Sequence, residues 1–165
     1  MHRAKFLLRL IMFMATTLFF SANAFAATAA PEFSLPGRGG QTVTLSAYRG
    51  DVVMINFWAS WCKPCRQEMP LLEQIYQRYK NLGFTLVGVN VDEDPKSAEL
   101  ILKNIPVSFP IAYDQQDKVS NKYGLEGMPN TVFVDRNGNI RHVHTGYTSG
   151  DEQGYDEQIR LLIRE

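Results

Sequence analysis

The two cysteines of the chain, Cys62 and Cys65, are separated by Lys63 and Pro64. They follow residues 52–58, a compact apolar run with β-branched and aromatic side chains that is typical of a buried strand. In residues 65–79, apolar side chains recur every three or four positions, which predicts a helix. A helix N-terminus offers unpaired N–H groups and a partial positive charge, and both favour a thiolate over a thiol. The position and spacing of the pair therefore indicate thiol–disulfide chemistry.

The two cysteines are predicted to have different roles. Cys62, the more N-terminal, should be exposed and should attack the disulfide of a partner. Cys65, one turn into the helix, should then attack the mixed disulfide and release the partner. Lys63 adds a positive charge that modestly favours the Cys62 thiolate, and Pro64 stiffens the turn at a helical position that needs no N–H partner.

Three other uses of the cysteines remain open at this stage. A structural disulfide is common in exported proteins, although a bridge that closes so short a loop constrains the unfolded chain little. Cys62, Cys65, His142 and His144 could supply four metal ligands, but the two histidines alternate along one strand and lack the spacing of finger-type zinc sites, so we expect no metal. A thiol peroxidase would need a proline and a threonine or serine shortly before its cysteine, and residues 57–61 contain neither proline nor threonine.

Composition narrows the class of protein further. The 165 residues are 45% hydrophobic and 21% charged, as in an ordinary globular domain and unlike a collagen, a coiled coil or a disordered tail. The 17 Lys and Arg residues balance the 17 Asp and Glu residues. Because a neutral chain gains little from counterion release, we expect no nucleic-acid partner, and no cofactor is implied.

The N-terminus has the pattern of a secretory signal peptide. Residues 1–9 carry three basic side chains and no acid, residues 10–20 are mostly apolar, and the small-x-small sequence Ala24-Phe25-Ala26 follows. We expect residues 1–26 to be a signal peptide, with an uncleaved inner-membrane anchor as the alternative, and residues 27–165 to be the exported, periplasmic domain.

The remaining pattern predicts an α/β domain. Residues 27–40 read as an irregular lead-in because Pro and Gly interrupt them. After the first strand and helix, strands alternate with helices, and a hairpin turn is expected at residues 135–138 before a closing helix. This order suggests a central mixed sheet covered on both faces. The further strands are predicted at 41–45, 84–91, 110–113, 131–134 and 139–145, and the further helices at 94–103, 118–123 and around 155–163.

Residues 56–70, NFWASWCKPCRQEMP, resemble the active-site segment of thioredoxin-like proteins. The chain is most similar to the exported thiol–disulfide oxidoreductases of the TlpA/ResA type, within the AhpC/TSA-redoxin-like group, some of which serve cytochrome c maturation. The resemblance implies a thioredoxin fold with an N-terminal extension and an inserted helix–strand segment, which residues 95–113 could supply. Pro70 matches the proline that lies within the first helix of these proteins.

The resemblance also assigns residues to partner binding. Pro129, in the sequence Gly127-Met128-Pro129-Asn130-Thr131, matches a cis-proline expected to pack beside the cysteines. Met128 would then offer backbone groups to an incoming partner strand. Trp58 and Trp61 are expected to pack around the site, and the alternative for both is ordinary burial in the core or at its rim.

One position departs from ordinary thioredoxins, which carry a buried aspartate where this chain has Asn56. An asparagine does not titrate, so it cannot accept the proton of Cys65. Glu68, three residues after Cys65 and one helical turn away, is the candidate to replace that aspartate as proton acceptor. If it is partly buried, its pKa would rise towards the range useful for proton exchange. The alternative is a surface glutamate in the first turn of the helix.

The remaining polar residues are predicted to have ordinary roles. Asp92, Glu93 and Asp94 are predicted to form a solvated loop, with metal binding as the alternative. Tyr147 and Tyr155 are predicted to be packing residues of the last helix. The sequence thus predicts an enzyme that exchanges disulfides with exported proteins. The resemblance implies that it acts as their reductant and that a membrane thiol–disulfide donor recharges it. A thiol peroxidase and a metallochaperone that uses the cysteine pair are the alternatives.

Overall fold

The computed structural model describes residues 28–165. The predicted signal peptide, residues 1–26, lies outside the described residues. A five-stranded sheet in the order β5-β4-β3-β6-β7 forms the centre of the domain. Its strands are β3 (Val52–Trp58), β4 (Phe84–Asn90), β5 (Ile111–Tyr113), β6 (Asn130–Val134) and β7 (Ile140–Thr145).

Within the described residues, three helices connect these strands and a fourth follows β7. They are α1 (Lys63–Tyr79), α2 (Pro95–Asn104), α3 (Lys118–Tyr123) and α4 (Asp151–Ile163). The parallel pairs β3–β4 and β4–β5 are joined through α1 and α2, as parallel strands require a crossover. β3–β6 and β6–β7 are antiparallel. The predicted thioredoxin-like fold is confirmed, including the inserted α2–β5 segment.

Two apolar layers cover the sheet. On one face, α1, α2 and α4 pack on Val52, Met54 and Trp58 of β3. On the other face, α3 and the N-terminal extension pack on the alternate residues of the same strand, Val53, Ile55 and Phe57. Because β3 is buried on both faces, its sequence is apolar throughout instead of alternating, and this is why the strand could be predicted at its observed bounds.

The N-terminal extension is more regular than predicted. The lead-in at residues 28–40 contains a strand, β1 (Ser34–Pro36), which pairs antiparallel with β2 (Thr42–Thr44). Phe33, Val43 and Leu45 are buried against the central sheet. Two short 3₁₀ turns, Arg38–Gly40 and Leu45–Tyr48, complete the segment. The interpretation of residues 27–40 as irregular was therefore wrong for the described part, residues 28–40. The strand was not recognised in the sequence because Pro36 and Gly37 end it after only three residues.

Candidate active site

One edge of the sheet brings together the segments that resemble an active site. β3 ends at Trp58, directly before the cysteine turn, and its Phe57 pairs with Asn130 at the start of β6. Because the two strands are antiparallel, the loop that carries Met128 and Pro129 lies at the same edge as the start of α1. The sheet register therefore places residues about 65 positions apart in the sequence beside one another.

Cys62 and Cys65 form a disulfide, with their Cα atoms 5.3 Å apart. Cys62 is the N-cap residue of α1, and its Sγ accepts a hydrogen bond of 3.2 Å from the backbone N–H of Cys65. Lys63 is exposed, and Pro64 lies in the first turn, where the lost N–H has no helical partner. A sulfur at position 62 thus receives both a hydrogen bond and the positive end of the helix dipole.

The exposure of Cys62 differs from the prediction. Its relative exposure is 4%, so in the oxidised protein it is buried and not exposed as expected. The physical reason is that its sulfur is bonded to Cys65, which is buried on the inner side of α1, and that Met128 packs against the same apolar cluster. A partner can reach only the small exposed part of this disulfide.

The two tryptophans have opposite environments. Trp58 is fully buried at the end of β3, whereas the side chain of Trp61 is 68% exposed next to Cys62. The expectation that both pack around the site is therefore confirmed for Trp58 and is wrong for Trp61. Trp61 instead presents a large apolar surface to solvent beside the reactive sulfur.

The Met128–Pro129 peptide bond is cis. Pro129 is buried and Met128 is half-buried. The Pro129 carbonyl accepts a hydrogen bond of 2.7 Å from the N–H of Gly146, which ties the loop to the end of β7. Within residues 28–165, no hydrogen bond is found at the backbone N–H or carbonyl of Met128.

Glu68 is fully buried, with 0% relative exposure, so the alternative of a surface glutamate was wrong. Its Oε2 accepts a hydrogen bond of 3.0 Å from Nδ2 of Asn56, and its Oε1 accepts one of 2.8 Å from the hydroxyl of Tyr155. Burial raises the pKa of Glu68 to about 7, although the two hydrogen bonds oppose this rise by favouring the carboxylate. A carboxyl with this pKa can both take up and release a proton near neutral pH.

Asn56 connects this carboxyl to the strand that follows Pro129. Its Nδ2 also donates a hydrogen bond of 3.0 Å to Oγ1 of Thr131, two residues after Pro129. Asn56 and Thr131 are directly paired in the β3–β6 register. The residue that departs from ordinary thioredoxins therefore holds Glu68 instead of titrating itself.

Sequence reasoning missed two residues of this region. Tyr155, predicted only to pack, reaches across from α4 to Glu68. Asp92, predicted to lie in a solvated loop, is 5% exposed and accepts hydrogen bonds from the N–H and the hydroxyl of Ser60 and from Nδ2 of Asn90. The Tyr155–Glu68 and Ser60–Asp92 contacts join residues that are 87 and 32 positions apart, so no local pattern could have identified them.

The two histidines contact residues other than the cysteines, namely Phe133, Tyr155 and Asp151. His142 is exposed on β7, and Nε2 of His144 lies 3.1 Å from Oδ2 of Asp151. Within residues 28–165, no group of three or more His, Cys, Asp or Glu side chains is arranged to hold a metal ion.

In the same part of the chain, no helix combines the length and the hydropathy needed to cross a membrane.

Comparison with known proteins gives consistent results. Residues 25–159 match the Redoxin family. The chain is 39% identical over 132 residues to thiol-disulfide oxidoreductase ResA of Geobacillus kaustophilus, covering 79% of this chain and 76% of that protein. It is 33% identical over 133 residues to ResA of Halalkalibacterium halodurans, covering 81% and 74% of the two chains. The structure of a candidate thiol:disulfide interchange protein DsbE from Chlorobium tepidum superposes with a TM-score of 0.81 at 39% identity, covering 83% of this chain and 96% of that one.

Proposed function

Because this chain belongs to the Redoxin family, as a ResA-type thiol–disulfide oxidoreductase, we propose that it exchanges disulfides with exported proteins and acts as their reductant. One observation carries the proposal: the sulfur of Cys62 caps α1 and accepts the N–H of Cys65, an arrangement that favours its thiolate. The disulfide partner of Cys62 lies one turn deeper in the same helix and is therefore placed to complete the exchange.

The first step is attack by the Cys62 thiolate on one sulfur of the client disulfide. A bond forms between Cys62 and that sulfur, the client S–S bond breaks, and the second client sulfur leaves as a thiolate. The exposed ring of Trp61 and the free backbone groups of Met128 would hold the client segment, with Pro129 shaping the loop. Lys63 and Pro64 adjust the turn between the cysteines.

The second step is attack by the thiolate of Cys65 on Sγ of Cys62. The Cys62–Cys65 disulfide forms, the mixed disulfide breaks, and the remaining client sulfur leaves as a thiolate. The client gains two electrons and the enzyme loses two. The buried carboxylate of Glu68, one turn from Cys65, accepts the proton of the Cys65 thiol and later returns it to solvent or to a leaving thiolate.

The proposal includes a location and two partners. Residues 1–26 have the pattern of a signal peptide, which supports export to the periplasm, as a soluble protein if cleavage follows Ala26. A membrane thiol–disulfide protein would then return electrons to Cys62 and Cys65. The resemblance to the TlpA/ResA type supports cytochrome c maturation as the pathway. The mass of the mature protein tests cleavage directly.

A trapping experiment tests the function. Reduced wild-type protein should reduce insulin disulfides, Cys62→Ser should be inactive, and Cys65→Ser should accumulate mixed disulfides that reveal the client after isolation from the exported compartment. An apocytochrome among the trapped proteins would support the maturation pathway. Full insulin reduction by Cys62→Ser would contradict the assignment, and peroxide consumption at a comparable rate would favour a thiol peroxidase.

A further inference from the structure

Helices α1 and α4 are joined by two reciprocal contacts between a tyrosine and a buried acid. Tyr155 of α4 donates its hydroxyl hydrogen to Glu68 of α1 at 2.8 Å. One residue further along α4, Asp156 accepts a hydrogen bond of 2.6 Å from the hydroxyl of Tyr79 of α1. Only the first of these contacts reaches the acid that lies one turn from Cys65, so the two tyrosines form a natural comparison.

The ring of Tyr155 is fixed by its neighbours. The side chain is 2% exposed, with its ring centroid 5.8 Å from that of Phe133 on β6 and 5.3 Å from that of His144 on β7. A ring held between two strands and a helix cannot easily swing away, so its hydroxyl stays directed at Glu68. The contact therefore constrains the carboxyl group, whose helix would otherwise allow several rotamers.

The charges around Glu68 do not by themselves stabilise its carboxylate. The groups that act on it are neutral Asn56 on β3, and Tyr155 and the like-charged Asp151 on α4, while Cys65 lies one turn away on its own helix. His144 of β7 lies against the ring of Tyr155 and is paired with Asp151, and Tyr147 precedes α4. Among residues 28–165, no Lys, Arg or His forms an ion pair with Glu68. Hydrogen bonds must therefore compensate for the burial of the charge.

We propose that Tyr155 is a positioning residue for Glu68: the Tyr155 hydroxyl fixes the carboxyl one helical turn from Cys65 and favours its charged form. The proposal rests on the role of Glu68 as the proton acceptor for Cys65. In that step the proton moves from the Cys65 thiol to a carboxylate oxygen, while Tyr155 keeps its own proton throughout. Burial and the neighbouring Glu68 carboxylate raise the pKa of Tyr155 above the ordinary tyrosine value, which is consistent with a hydroxyl that donates and does not ionise.

The test compares Tyr155→Phe with Tyr79→Phe in the oxidised protein, in which no thiol titrates. The readout is the ¹³C chemical shift of the Glu68 carboxyl as a function of pH. The wild-type midpoint is expected at about 7. Tyr155→Phe should move it upward by about one pH unit, a tenfold rise in proton affinity, because the charged form loses a donor. Tyr79→Phe, which removes the equivalent hydroxyl at the same helix pair, should leave the midpoint in place.

The reduced protein gives the functional counterpart. The rate at which Cys65 resolves a preformed mixed disulfide should show the same upward shift of its pH profile in Tyr155→Phe and no shift in Tyr79→Phe. An unchanged Glu68 midpoint in a folded Tyr155→Phe protein, or an equal shift in both variants, would overturn the proposal. If Tyr155→Phe does not fold, the test is made on the wild-type protein. The resonance of the Tyr155 hydroxyl proton should shift over the same pH range as the Glu68 carboxyl. A Tyr155 resonance that does not change over that range would overturn the proposal.

A failure of the proposed role of Glu68 as proton acceptor can be distinguished from a failure of the proposed role of Tyr155. If Glu68→Gln resolves the mixed disulfide at the wild-type rate at every pH, Glu68 is not the proton acceptor. The carboxyl titration would still report whether Tyr155 sets its orientation and charge, because that measurement does not depend on activity. A shifted midpoint with a normal resolution rate would thus retain the positioning contact and reject the proton step.

Discussion

The backbone N–H of Cys65 points at the sulfur of Cys62, 3.2 Å away, across the first turn of α1. The contact uses one of the N–H groups that a helix leaves unpaired at its start. Backbone geometry and not a side chain supplies it, so it survives substitution of the Cys65 side chain. This makes the effect on Cys62 measurable in a protein with a single thiol.

We predict that the pKa of Cys62 in Cys65→Ser lies below the ordinary thiol value of about 8.5, because the N–H and the helix dipole stabilise the thiolate. The pH dependence of alkylation by iodoacetamide gives the midpoint. The same protein in denaturant is the control, since unfolding removes the helix. Equal midpoints in the folded and unfolded protein would contradict the proposed activation.

The buried Glu68 should make stability fall as pH rises. Its folded pKa of about 7 exceeds the value of 4.5 expected in the unfolded chain, so the folded state binds more protons between these values. The unfolding free energy of the oxidised protein should therefore decline from about pH 4.5 and level off above about pH 7. The full difference is roughly 3 kcal/mol for a shift of this size.

Glu68→Gln removes this titration while keeping a polar group of similar shape. The contribution of position 68 to the pH dependence should disappear, and the variant should gain stability relative to wild type above pH 7. Denaturant unfolding at pH 5 and pH 8 measures the difference. A wild-type protein with the same decline as Glu68→Gln would show that the carboxyl titrates normally.

Asp92 should stabilise the turn that precedes Cys62. Its carboxylate accepts both the N–H of Ser60, at 3.0 Å, and the Ser60 hydroxyl, also at 3.0 Å. Asp92→Ala should cost about 2–3 kcal/mol of unfolding free energy, since it leaves a half-buried N–H and Nδ2 of Asn90 without this acceptor. Glu93→Ala, at the exposed neighbouring position, is the control and should change stability by less than about 0.5 kcal/mol. Equal losses in both variants would contradict the assignment.

Trp61 should affect client reduction and not stability. Because its ring is largely exposed, Trp61→Ala should change the unfolding free energy by less than about 0.5 kcal/mol. Loss of an exposed aromatic contact should lower kcat/KM for a protein disulfide by about fivefold or more. Leu100→Ala, an exposed apolar residue on α2, is the matched control. A normal kcat/KM in Trp61→Ala would remove Trp61 from the proposed client surface.

Local patterns predicted most of the elements. The continuous apolar run of residues 52–58 gave β3 at its observed bounds, and Asp94-Pro95 marked the start of α2, where the Asp94 side chain accepts the N–H of Lys96. Lys118–Tyr123 also formed the predicted helix and ended at Gly124 in a left-handed conformation. These features depend on neighbours within a few residues, so the sequence shows them directly.

Contacts between distant segments were less accessible. Tyr155 and Glu68 are separated by 87 positions, and no local sequence pattern at either residue predicts the contact. Asp92 looked like part of an acidic loop because its charge was visible, whereas its hydrogen bonds to Ser60 were not. The burial of Cys62 was missed because Met128, which packs against the same cluster, lies 66 positions further along the chain.

The sequence alone determined the reactive cysteine pair, its place between a strand and a helix, and most of the elements around it, since hydrophobic periodicity and spacing are local properties. The tertiary structure alone decided which acid is buried, what donates to it and how much of the disulfide a client can reach. Burial and hydrogen bonding depend on which elements the sheet order makes adjacent, and pKa follows from both.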